Sequence, residues 1–291
     1  MSDTKPDLAV VIVSWNVREL LADCLHSLFD DLAQSKLEAV VWVVDNGSTD
    51  GSPEMVARAF PAVRLIISEE NLGFAAGNNR ALREISNLKS QIPRYVWLLN
   101  PDTEVQTGAT AALVSALDAS PRVGVAGAKL LYADGALQQS AFRFPGLLQL
   151  ACDLFPLPAR FYETSLNGRY PRRLYEGQAP FAVDHPLGAA MMVRAETIAE
   201  VGLLDEGFWM YCEEIDWCWR MRQAGWPACC VPAAQVVHHA GRSTEQVRVA
   251  SFAALGRSRL RLYDKHYPPS KRRLARWLVR LGMRWQMRQA R

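Results

Sequence analysis

The sequence lacks any apolar run long enough to cross a lipid bilayer. Its longest uninterrupted apolar stretches, such as residues 8–13 and 40–44, have the length of strands, whereas a membrane-spanning helix needs about 20 residues. Residues 1–7 contain none of the apolar segment that a secretory signal carries. We therefore expect a cytoplasmic chain that spans no membrane and keeps its thiols reduced.

Paired cysteines are also absent, because none of the six cysteines belongs to a Cys-x-x-Cys pair. Structural zinc sites usually present paired ligands at short, fixed spacing. The pattern therefore disfavours a zinc site assembled from the cysteines at 212–230 and the histidines that follow. Cysteines within apolar stretches behave as small hydrophobic residues, so we expect several of these six to be buried in the core.

Three common signatures of nucleotide or ester chemistry are missing as well. The chain contains no Gly-x-x-x-x-Gly-Lys loop, no Gly-x-Gly-x-x-Gly turn and no Gly-x-Ser-x-Gly elbow. These absences argue against P-loop enzymes, dinucleotide-binding Rossmann proteins and α/β-hydrolases.

Charge is distributed unevenly along the chain, although the net charge is only +3. Residues 257–291 hold twelve Lys or Arg against one acid, a balance of +11. The other residues then hold 21 basic and 29 acidic side chains, a balance of −8. An acidic body with a basic tail argues against nucleic-acid binding by the whole fold and marks the tail as a separate element.

Short apolar segments alternate with amphipathic ones through the first 100 residues, in a chain whose composition, with 49% hydrophobic residues, is that of a globular protein. The expected strands are 8–16, 40–44, 63–67 and 95–99, and the expected helices are 17–32, one beginning at Ser52, and 74–85. This β-α alternation predicts an α/β fold with a mostly parallel central sheet and helices on both faces. Such sheets bind ligands beyond the carboxyl ends of their strands.

Polar clusters follow three of these strands, at residues 14–16, 45–51 and 100–104. Each cluster alone is best explained as a turn, because Asn, Asp, Gly and Ser are the residues that turns use. All three are expected at the same edge of the sheet, and their coincidence there favours one shared binding site.

A second group of acids, Glu213, Glu214 and Asp216, opens a helix that ends at Gly225. Acids in a first turn can simply complement the helix dipole. The large apolar residues directly before them, 207–212, favour a different interpretation, in which they form a wall beside a reacting carboxylate. A carboxylate at a helix N-terminus is suited to accept a proton at neutral pH.

Asp102 follows a strand and resembles an oxygen ligand for Mg²⁺ or Mn²⁺ bound together with phosphate oxygens. A lone Asp in that place can equally be a helix cap. His238 and His239 end another apolar segment, and a histidine there can be a metal ligand or a packed residue. The spacing to Gly241 and Ser243 favours His238 over His239 as the ligand that assists Asp102.

Two further segments, a loop region and a basic helix, lie outside these clusters. Residues 143–186 are rich in Pro, Gly, Arg and aromatic residues, which predicts a long variable loop region. Residues 271–291 predict a basic amphipathic helix, suited to an anionic membrane interface. The alternative is a helix that packs on the body or pairs in a homodimer. We expect one domain at residues 1–256 and this extension at 257–291.

Seven motifs occur in order and resemble those of family 2 glycosyltransferases, with rhamnosyltransferase-like bacterial members the most similar. They are Val13-Ser-Trp-Asn16, Val44-Asp-Asn-Gly-Ser-Thr-Asp-Gly51, Asn71-Leu-Gly-Phe-Ala-Ala-Gly-Asn-Asn79, Asn100-Pro-Asp102, Gly188-Ala189, Glu213-Glu-Ile-Asp216 and His238-x-x-Gly-x-Ser243. The resemblance covers about residues 8–265. It implies a GT-A fold, a nucleotide-diphosphate-sugar donor, a divalent metal and inversion at the anomeric carbon.

The resemblance also implies that the variable loop region at residues 143–186 lies on the acceptor side, and it implies roles for individual residues. Glu214 takes the position of the general base, where many relatives have Asp. Asp102 holds the metal, and Asn100 stands where many relatives have the first Asp of Asp-x-Asp. Asp45 accepts a hydrogen bond from a pyrimidine base, which suits a dTDP- or UDP-sugar. The residues expected around the nucleotide and diphosphate are Ser14, Asn16, Asp45, Asn71, Gly77, Asn78, Asn100 and Asp102.

The implied function is transfer of a sugar, with L-rhamnose the leading candidate, to a hydroxyl of a glycan or lipid-linked acceptor in cell-surface polysaccharide synthesis. Such an enzyme would sit peripherally on the inner face of the cytoplasmic membrane. Two other classes remain: a nucleotidyltransferase-like enzyme, and a non-catalytic membrane-associated protein that binds nucleotide sugars. A nucleotidyltransferase requires a Gly-rich basic loop after the first strand, where this chain has Trp15-Asn-Val-Arg18. The acids at 213, 214 and 216 argue against a non-catalytic protein.

Overall fold

A computed structural model describes residues 5–88, 91–155, 164–240 and 248–289 of the chain. A central sheet runs in the order β3-β2-β1-β4-β11-β6-β12-β5, with β7 beside β6 and β9 beside β12. Its strands are β1 (Leu8–Ser14), β2 (Ala39–Asp45), β3 (Arg64–Ile67), β4 (Tyr95–Leu99), β5 (Thr103–Val105), β6 (Val125–Leu131), β7 (Leu137–Gln138), β9 (Phe181–Val183), β11 (Ala190–Arg194) and β12 (Ala228–His238). A small second sheet pairs β8 (Ala141–Phe142) with β10 (His185–Pro186).

The first four strands are parallel, as the β-α alternation predicts. β1 pairs in parallel with β2 on one side and β4 on the other, and β2 pairs in parallel with β3. β11 then inserts antiparallel between β4 and β6, and the far side of β6 pairs in parallel with β12. The predicted α/β fold with a mostly parallel sheet is confirmed.

Helices cover both faces of the sheet. They are α1 (Arg18–Ser35), α2 (Ser52–Ala59), α3 (Gly73–Ser86), α4 (Ala109–Ala119), α5 (Leu147–Leu154), α6 (Arg173–Glu176), α7 (Ala195–Val201), α8 (Glu213–Gln223), α9 (Arg248–His266) and α10 (Pro269–Gln289). Successive strand residues point to opposite faces, so Leu8, Val10 and Ile12 of β1 pack beside α1, α2 and α4, whereas Ala9 and Val11 pack beside α3, α7 and α8.

The segment 143–186 differs from the expected long loop. It contains α5, a 3₁₀ turn (Ser165–Asn167), α6 and β9, and the part at 156–163 lies outside the described residues. Leu150 and Leu154 of α5 pack with Tyr263 of α9 and with Ala275 and Val279 of α10. Pro and Gly around α5 obscure a helix whose stability comes from this long-range packing.

The basic C-terminal segment forms the expected helix, and one of its faces is packed against the body. Ala275 and Val279 are buried, whereas Leu274, Trp277 and Leu281 are exposed. The expected division after residue 256 falls inside α9, which runs unbroken from Arg248 to His266. All six cysteines are free and buried, where burial was expected for several of them.

Among the described residues, no helix is both long and apolar enough to cross a membrane.

Candidate active site

A cavity of about 300 Å³ opens at the carboxyl edge of the sheet. The ends of β1, β4 and β12 and the start of α8 meet there because parallel strands place their carboxyl ends at one edge. The expected site residues that line it are Ser14, Asn71, Asn100, Asp102, Glu213, Glu214 and His238. The remaining ones, Asn16, Asp45, Gly77, Asn78, Asp216 and His239, do not line it.

Ser14, Asn46 and Asn71 form one side of the cavity, which we call the amide wall. The Asn46 side-chain amide donates to the Gly73 carbonyl at 3.1 Å and to Asn71 Oδ1 at 3.4 Å. Asn71 Oδ1 in turn accepts from the Gly73 N–H at 2.9 Å. Ser14 Oγ and Asn46 Oδ1 are buried and find no partner in the described chain. Buried polar atoms are normally hydrogen-bonded, so these two are available to a ligand.

Asp45 is the last residue of β2 and Asn16 lies in the turn after β1, and both bond to the turn that follows β2. Asp45 is 1% exposed, and its Oδ2 accepts from the Ser48 N–H at 2.9 Å. Its Oδ1 has no partner among the described residues. Asn16 Oδ1 accepts from the Thr49 N–H at 2.8 Å. Both residues hold the shape of the β2 turn, and base recognition by Asp45 stays a prediction.

Gly77 and Asn78 were expected near the ribose and diphosphate. Gly77 instead packs α3 against β1, and Asn78 bonds to the backbone of α3. A Cβ at Gly77 would lie 2.7 Å from Val13 Cγ1, so glycine here lets the helix approach β1 closely. Asn78 is 1% exposed and donates to the Phe74 carbonyl at 2.9 Å. The close approach that requires glycine is therefore between helix and strand.

Asp102 and His238 form a buried pair in the cavity lining, although 136 residues separate them in sequence. His238 Nε2 lies 3.4 Å from Asp102 Oδ1 and 3.5 Å from Asn100 Nδ2. β12 brings the histidine there, since His238 pairs with Thr103 of β5 in the antiparallel ladder. His239 points elsewhere, and its Nε2 lies 2.6 Å from Glu104 Oε1.

The donor atoms of this pair fit a divalent cation. Adjacent ligands of a cation held at about 2.1 Å lie about 3 Å apart, close to the Nε2 to Oδ1 distance. No cluster of three or more His, Cys, Asp or Glu with ligand geometry occurs in the described ranges. Mg²⁺ and Mn²⁺ commonly bind through one or two protein groups plus phosphate oxygens and water, so two protein donors suffice.

Glu213 and Glu214 also line the cavity, and we call this part of the lining the acid wall. They follow Tyr211 and Cys212, which both adopt left-handed backbone angles with φ of 70° and 67°. Burial raises the pKa of Glu214 to about 7. Burial and the charge of Glu214 raise the pKa of Glu213 well above its usual value. Glu214 therefore ionises first and is the better proton acceptor at neutral pH.

The sequence matches Glycosyl transferase family 2 over residues 9–192. It is also 31% identical over 275 residues to N-acetylglucosaminyl-diphospho-decaprenol L-rhamnosyltransferase of Mycobacterium tuberculosis, a match that covers 91% of this chain and 86% of the relative. The chain belongs to glycosyl transferase family 2.

Solved glycosyltransferase structures share the GT-A fold of this family 2 chain. One is the mannosyltransferase PcManGT from Pyrobaculum calidifontis in complex with GDP-Man and Mn²⁺, at a TM-score of 0.59 and 17% identity, with 97% of this chain and 73% of that one covered. Another is GalNAc-T7 with UDP, GalNAc and Mn²⁺, at a TM-score of 0.57 and 16% identity. This match covers 97% of this chain and 57% of the GalNAc-T7 chain.

Asp216, expected among the catalytic acids of this family 2 site, faces away from the cavity. It is fully buried and lies 2.7 Å from His266 Nε2, 2.8 Å from Lys265 Nζ and 3.0 Å from Arg220 Nε. A helix turns about 100° per residue, so Asp216 lies about 200° around α8 from Glu214. The interpretation of Asp216 as a reacting acid is therefore corrected: it joins α8 to α9.

Sequence reasoning missed several residues of the site. The sequence pattern places Asn46 in a turn and assigns nucleotide recognition to its neighbour Asp45. Phe74 and Tyr211 also line the cavity. Trp209 contacts the amide wall from the loop before α8, because its indole N–H donates to the Asn71 carbonyl at 3.4 Å. Asn46 could have been found, since it follows a strand at the same edge as Asn100.

Proposed function

We propose that this chain is an inverting, metal-dependent glycosyltransferase that moves a sugar from a nucleotide diphosphate to an acceptor hydroxyl. The observation that carries the proposal is the composition of one cavity. A pair of metal-binding donors, Asp102 and His238, lines it together with Glu214, a carboxylate suited to proton removal, and with unpartnered amide-wall atoms. Those are the groups that a single displacement at an anomeric carbon requires.

Glu214 acts as the general base in this proposal. It accepts the proton of the acceptor hydroxyl while that oxygen bonds to the anomeric carbon and the bond from carbon to the diphosphate breaks. Displacement from the opposite side inverts the anomeric centre. Because the pKa of Glu214 is about 7, the rate should rise with pH up to about that value and then level off.

Asp102 and His238 would hold the divalent cation. When bound, it neutralises charge that develops on the departing diphosphate. The amide wall then orients the nucleotide: Ser14 Oγ can donate or accept a hydrogen bond, and Asn46 Oδ1 can accept one. Orientation of the donor is itself a large part of catalysis in a transfer reaction.

The proposed sugar and acceptor rest on a relative, and the proposed nucleotide rests on one residue of this chain. The mycobacterial relative is named as an L-rhamnosyltransferase that acts on a decaprenol-linked diphosphate, which supports L-rhamnose as the sugar and a lipid-linked acceptor. The proposed dTDP or UDP donor rests on Asp45, which still offers a buried Oδ1 without a partner in the described chain. The solved neighbours carry UDP in one case and GDP-Man in the other.

The test is release of nucleoside diphosphate from dTDP-L-rhamnose or a UDP-sugar in the presence of Mn²⁺ and a lipid-linked glycan acceptor. Turnover that depends on metal and acceptor supports transfer. A nucleotidyltransferase would instead release pyrophosphate or a nucleoside monophosphate, and a binding protein would release nothing. Selective thermal stabilisation by GDP or ADP would contradict the base assignment.

Asp102→Ala separates metal binding from folding. We expect it to weaken UDP binding in Mn²⁺ by at least tenfold and to leave UDP binding without metal unchanged, because a metal ligand acts only through the metal. Thr107→Ala, on the exposed turn before α4, is the matched control. Equal losses with and without metal would make Asp102 a structural cap.

We also propose that α10 places the enzyme on an anionic membrane. Leu274, Trp277 and Leu281 are 45%, 57% and 37% exposed on the face of α10 that points away from the body. Exposed Arg273, Arg280 and Arg284 accompany them. Apolar and aromatic side chains bordered by arginines suit the headgroup region of an anionic bilayer, and a lipid-linked acceptor would be found there.

Co-sedimentation with vesicles of phosphatidylglycerol and phosphatidylcholine tests this placement. The full chain should pellet with anionic vesicles at low salt, and a Trp277→Ser, Leu281→Ser double variant should remain in the supernatant. Tyr132→Ser, another exposed apolar residue at 47% exposure, should behave as the unaltered chain. If the unaltered chain stays in the supernatant and migrates as a dimer that the double variant disrupts, the stripe is a dimer interface.

A further inference from the structure

The imidazole of His238 is contacted at both of its ring nitrogens. Nε2 faces Asp102 and Asn100 in the cavity, as described above. Nδ1, on the other side of the ring, lies 2.9 Å from the side-chain oxygen Oε1 of Gln138. The groups are enclosed, since His238 is 6% exposed, Gln138 8% and Asp102 5%.

Sheet register brings Gln138 to this place. β7 is only two residues long, and Gln138 pairs there with Leu130 of β6. On the other side of β6, Leu130 pairs with Val236 of β12. His238 is two residues farther along β12, so a glutamine 100 residues away in sequence reaches its ring.

The chemistry of these contacts selects one form of the ring. A neutral imidazole carries its proton on one nitrogen and a lone pair on the other. The Gln138 oxygen can only accept a hydrogen bond, so it favours a proton on Nδ1. Nε2 then keeps its lone pair, which the Asn100 amide can meet as a donor. The Asp102 carboxylate favours a proton on Nε2 instead, but at 3.4 Å it is farther from the ring than the Gln138 oxygen at 2.9 Å. The opposite tautomer would set the Nδ1 lone pair against the oxygen of Gln138.

We propose that Gln138 is a positioning residue that holds His238 in the Nδ1–H tautomer, so that the Nε2 lone pair faces a divalent cation beside Asp102. This inference rests on the proposed metal-dependent transfer. Histidine ligands commonly donate their second ring N–H to an oxygen, and loss of that oxygen lowers metal affinity by about 10–100-fold. Gln138 itself would touch neither metal nor substrate.

The first measurement is the tautomer of His238 in the metal-free full chain. The chain has only five histidines, so ¹⁵N labelling of histidine and long-range ¹H–¹⁵N correlation can resolve them, with His238→Asn identifying the signal. We expect Nδ1–H in the unaltered chain and in Gln138→Glu, which keeps an acceptor. We expect Gln138→Leu, which removes it, to shift the ring toward Nε2–H or a mixture.

The second measurement is Mn²⁺ affinity in the presence of UDP, by electron paramagnetic resonance of free Mn²⁺. Gln138→Leu should bind Mn²⁺ about 10–100-fold more weakly, with UDP affinity in the absence of metal unchanged. Gln138→Glu should retain most of the affinity. Gln139→Leu is the matched control, because this neighbour is equally buried and its amide has no partner among the described residues.

An Nε2–H ring in the unaltered chain would overturn the inference, and this result does not depend on whether Gln138→Leu folds. Unchanged Mn²⁺ affinity in Gln138→Leu would overturn it as well. If the unaltered chain bound Mn²⁺ no better with UDP than without, the proposed metal-dependent function would fail instead. The two failures are therefore distinguishable.

Discussion

The amide wall and the acid wall differ in where their supporting contacts come from. On the amide wall, Asn46 and Asn71 hold each other and Gly73, through bonds that span at most 27 residues of sequence. On the acid wall, the supports come from α9. Ser258 Oγ donates to the Met210 carbonyl at 2.7 Å, across 48 residues, and His266 bonds Asp216 across 50.

The backbone differs as well. Two consecutive residues without the freedom of glycine, Tyr211 and Cys212, adopt left-handed angles directly before Glu213. Such angles cost about 1–2 kcal/mol per residue. Phe208 and Cys212 pack against Leu262 of α9, so the helix holds this turn in place by burial and by the Ser258 hydrogen bond.

The difference indicates that donor recognition and base placement depend on different sets of contacts, linked by Trp209, whose indole N–H donates to the Asn71 carbonyl at 3.4 Å from the loop before α8. The amide wall lies within the segment 9–192 that matches the family, whereas the acid wall and α9 lie beyond it. Damage to α9 should therefore lower turnover more than it lowers nucleotide affinity. The following variants test that separation, from the largest expected effect to the smallest.

Glu214→Gln should lower the transfer rate by about 10²–10⁴ and leave UDP affinity unchanged, because the amide keeps the shape but cannot accept a proton. Glu213→Gln should stay within a few-fold of the unaltered rate, since Glu213 holds its proton while Glu214 ionises. Single-turnover release of nucleoside diphosphate measures both rates. An inactive Glu213→Gln beside an active Glu214→Gln would exchange the two roles.

Asp216→Ala should lower the free energy of unfolding by about 3 kcal/mol. It leaves Arg220 and Lys265 without their carboxylate at a buried position, and removing one member of a buried ion pair typically costs about 3–5 kcal/mol. The lower end applies because Lys265 is 33% exposed and can reach water. Urea denaturation measures the change.

Asp264→Ala is the control for that variant, because its pair with Arg276 joins α9 to α10 at the surface, with side chains 38% and 50% exposed. Pairs of this kind contribute about 0–1 kcal/mol. An equal loss of unfolding free energy in the two variants would mean that Asp216 contributes no more than a surface ion pair. The contact between Asp216 and α9 would then not support the acid wall.

Ser258→Ala should cost about 1 kcal/mol through the lost hydrogen bond to Met210. We expect kcat to fall several-fold with the donor KM unchanged, because the acid wall loosens and the amide wall does not. Ser251→Ala on the same helix is the control: Ser251 is buried, and its hydroxyl has no partner among the described residues. A rise in donor KM with kcat unchanged would contradict the separation of the walls.

The acid wall should also make stability depend on pH. The folded pKa values of Glu213 and Glu214 are raised from an ordinary 4.5, so the unfolded chain ionises first as the pH rises. The contribution of these two carboxyls to stability is then fully present below about pH 4.5 and declines through pH 7. Glu213→Gln should melt a few degrees higher than the unaltered chain at pH 8 and at nearly the same temperature at pH 5. The same difference in melting temperature between the two proteins at pH 5 and at pH 8 would contradict this.

The sequence predicted the parts of the molecule whose structure is local. β1, β2 and β4 form where continuous apolar runs stand, because a strand buried on both faces needs no polar alternation. Ser14, Asn100 and Asp102 were placed correctly, since carboxyl ends of parallel strands share one edge. α5, α9 and Gln138 were not predicted, because short or weakly patterned segments take their structure from distant partners.

Asp216 shows a different limit of prediction. Three acids within four residues suggested one acidic cluster, yet helical rotation separates Asp216 from Glu214. The partners that explain it, His266 and Lys265, carry no motif and come from α9. Whether Asp102, His238 and Glu214 act as expected stays a prediction, although they meet in one cavity.

β12 has a consequence for how the protein assembles. It is the last strand of the sheet in sequence and carries His238 to Asn100 across a separation of 138 residues. Contacts that close so long a loop form late, and long-range strand pairing is intrinsically slow. A nascent chain can build β1 to β4 while it is still on the ribosome, before residue 238 is synthesised. The metal-binding pair therefore becomes complete only when almost the whole domain is folded, so half-made protein would hold no cation there.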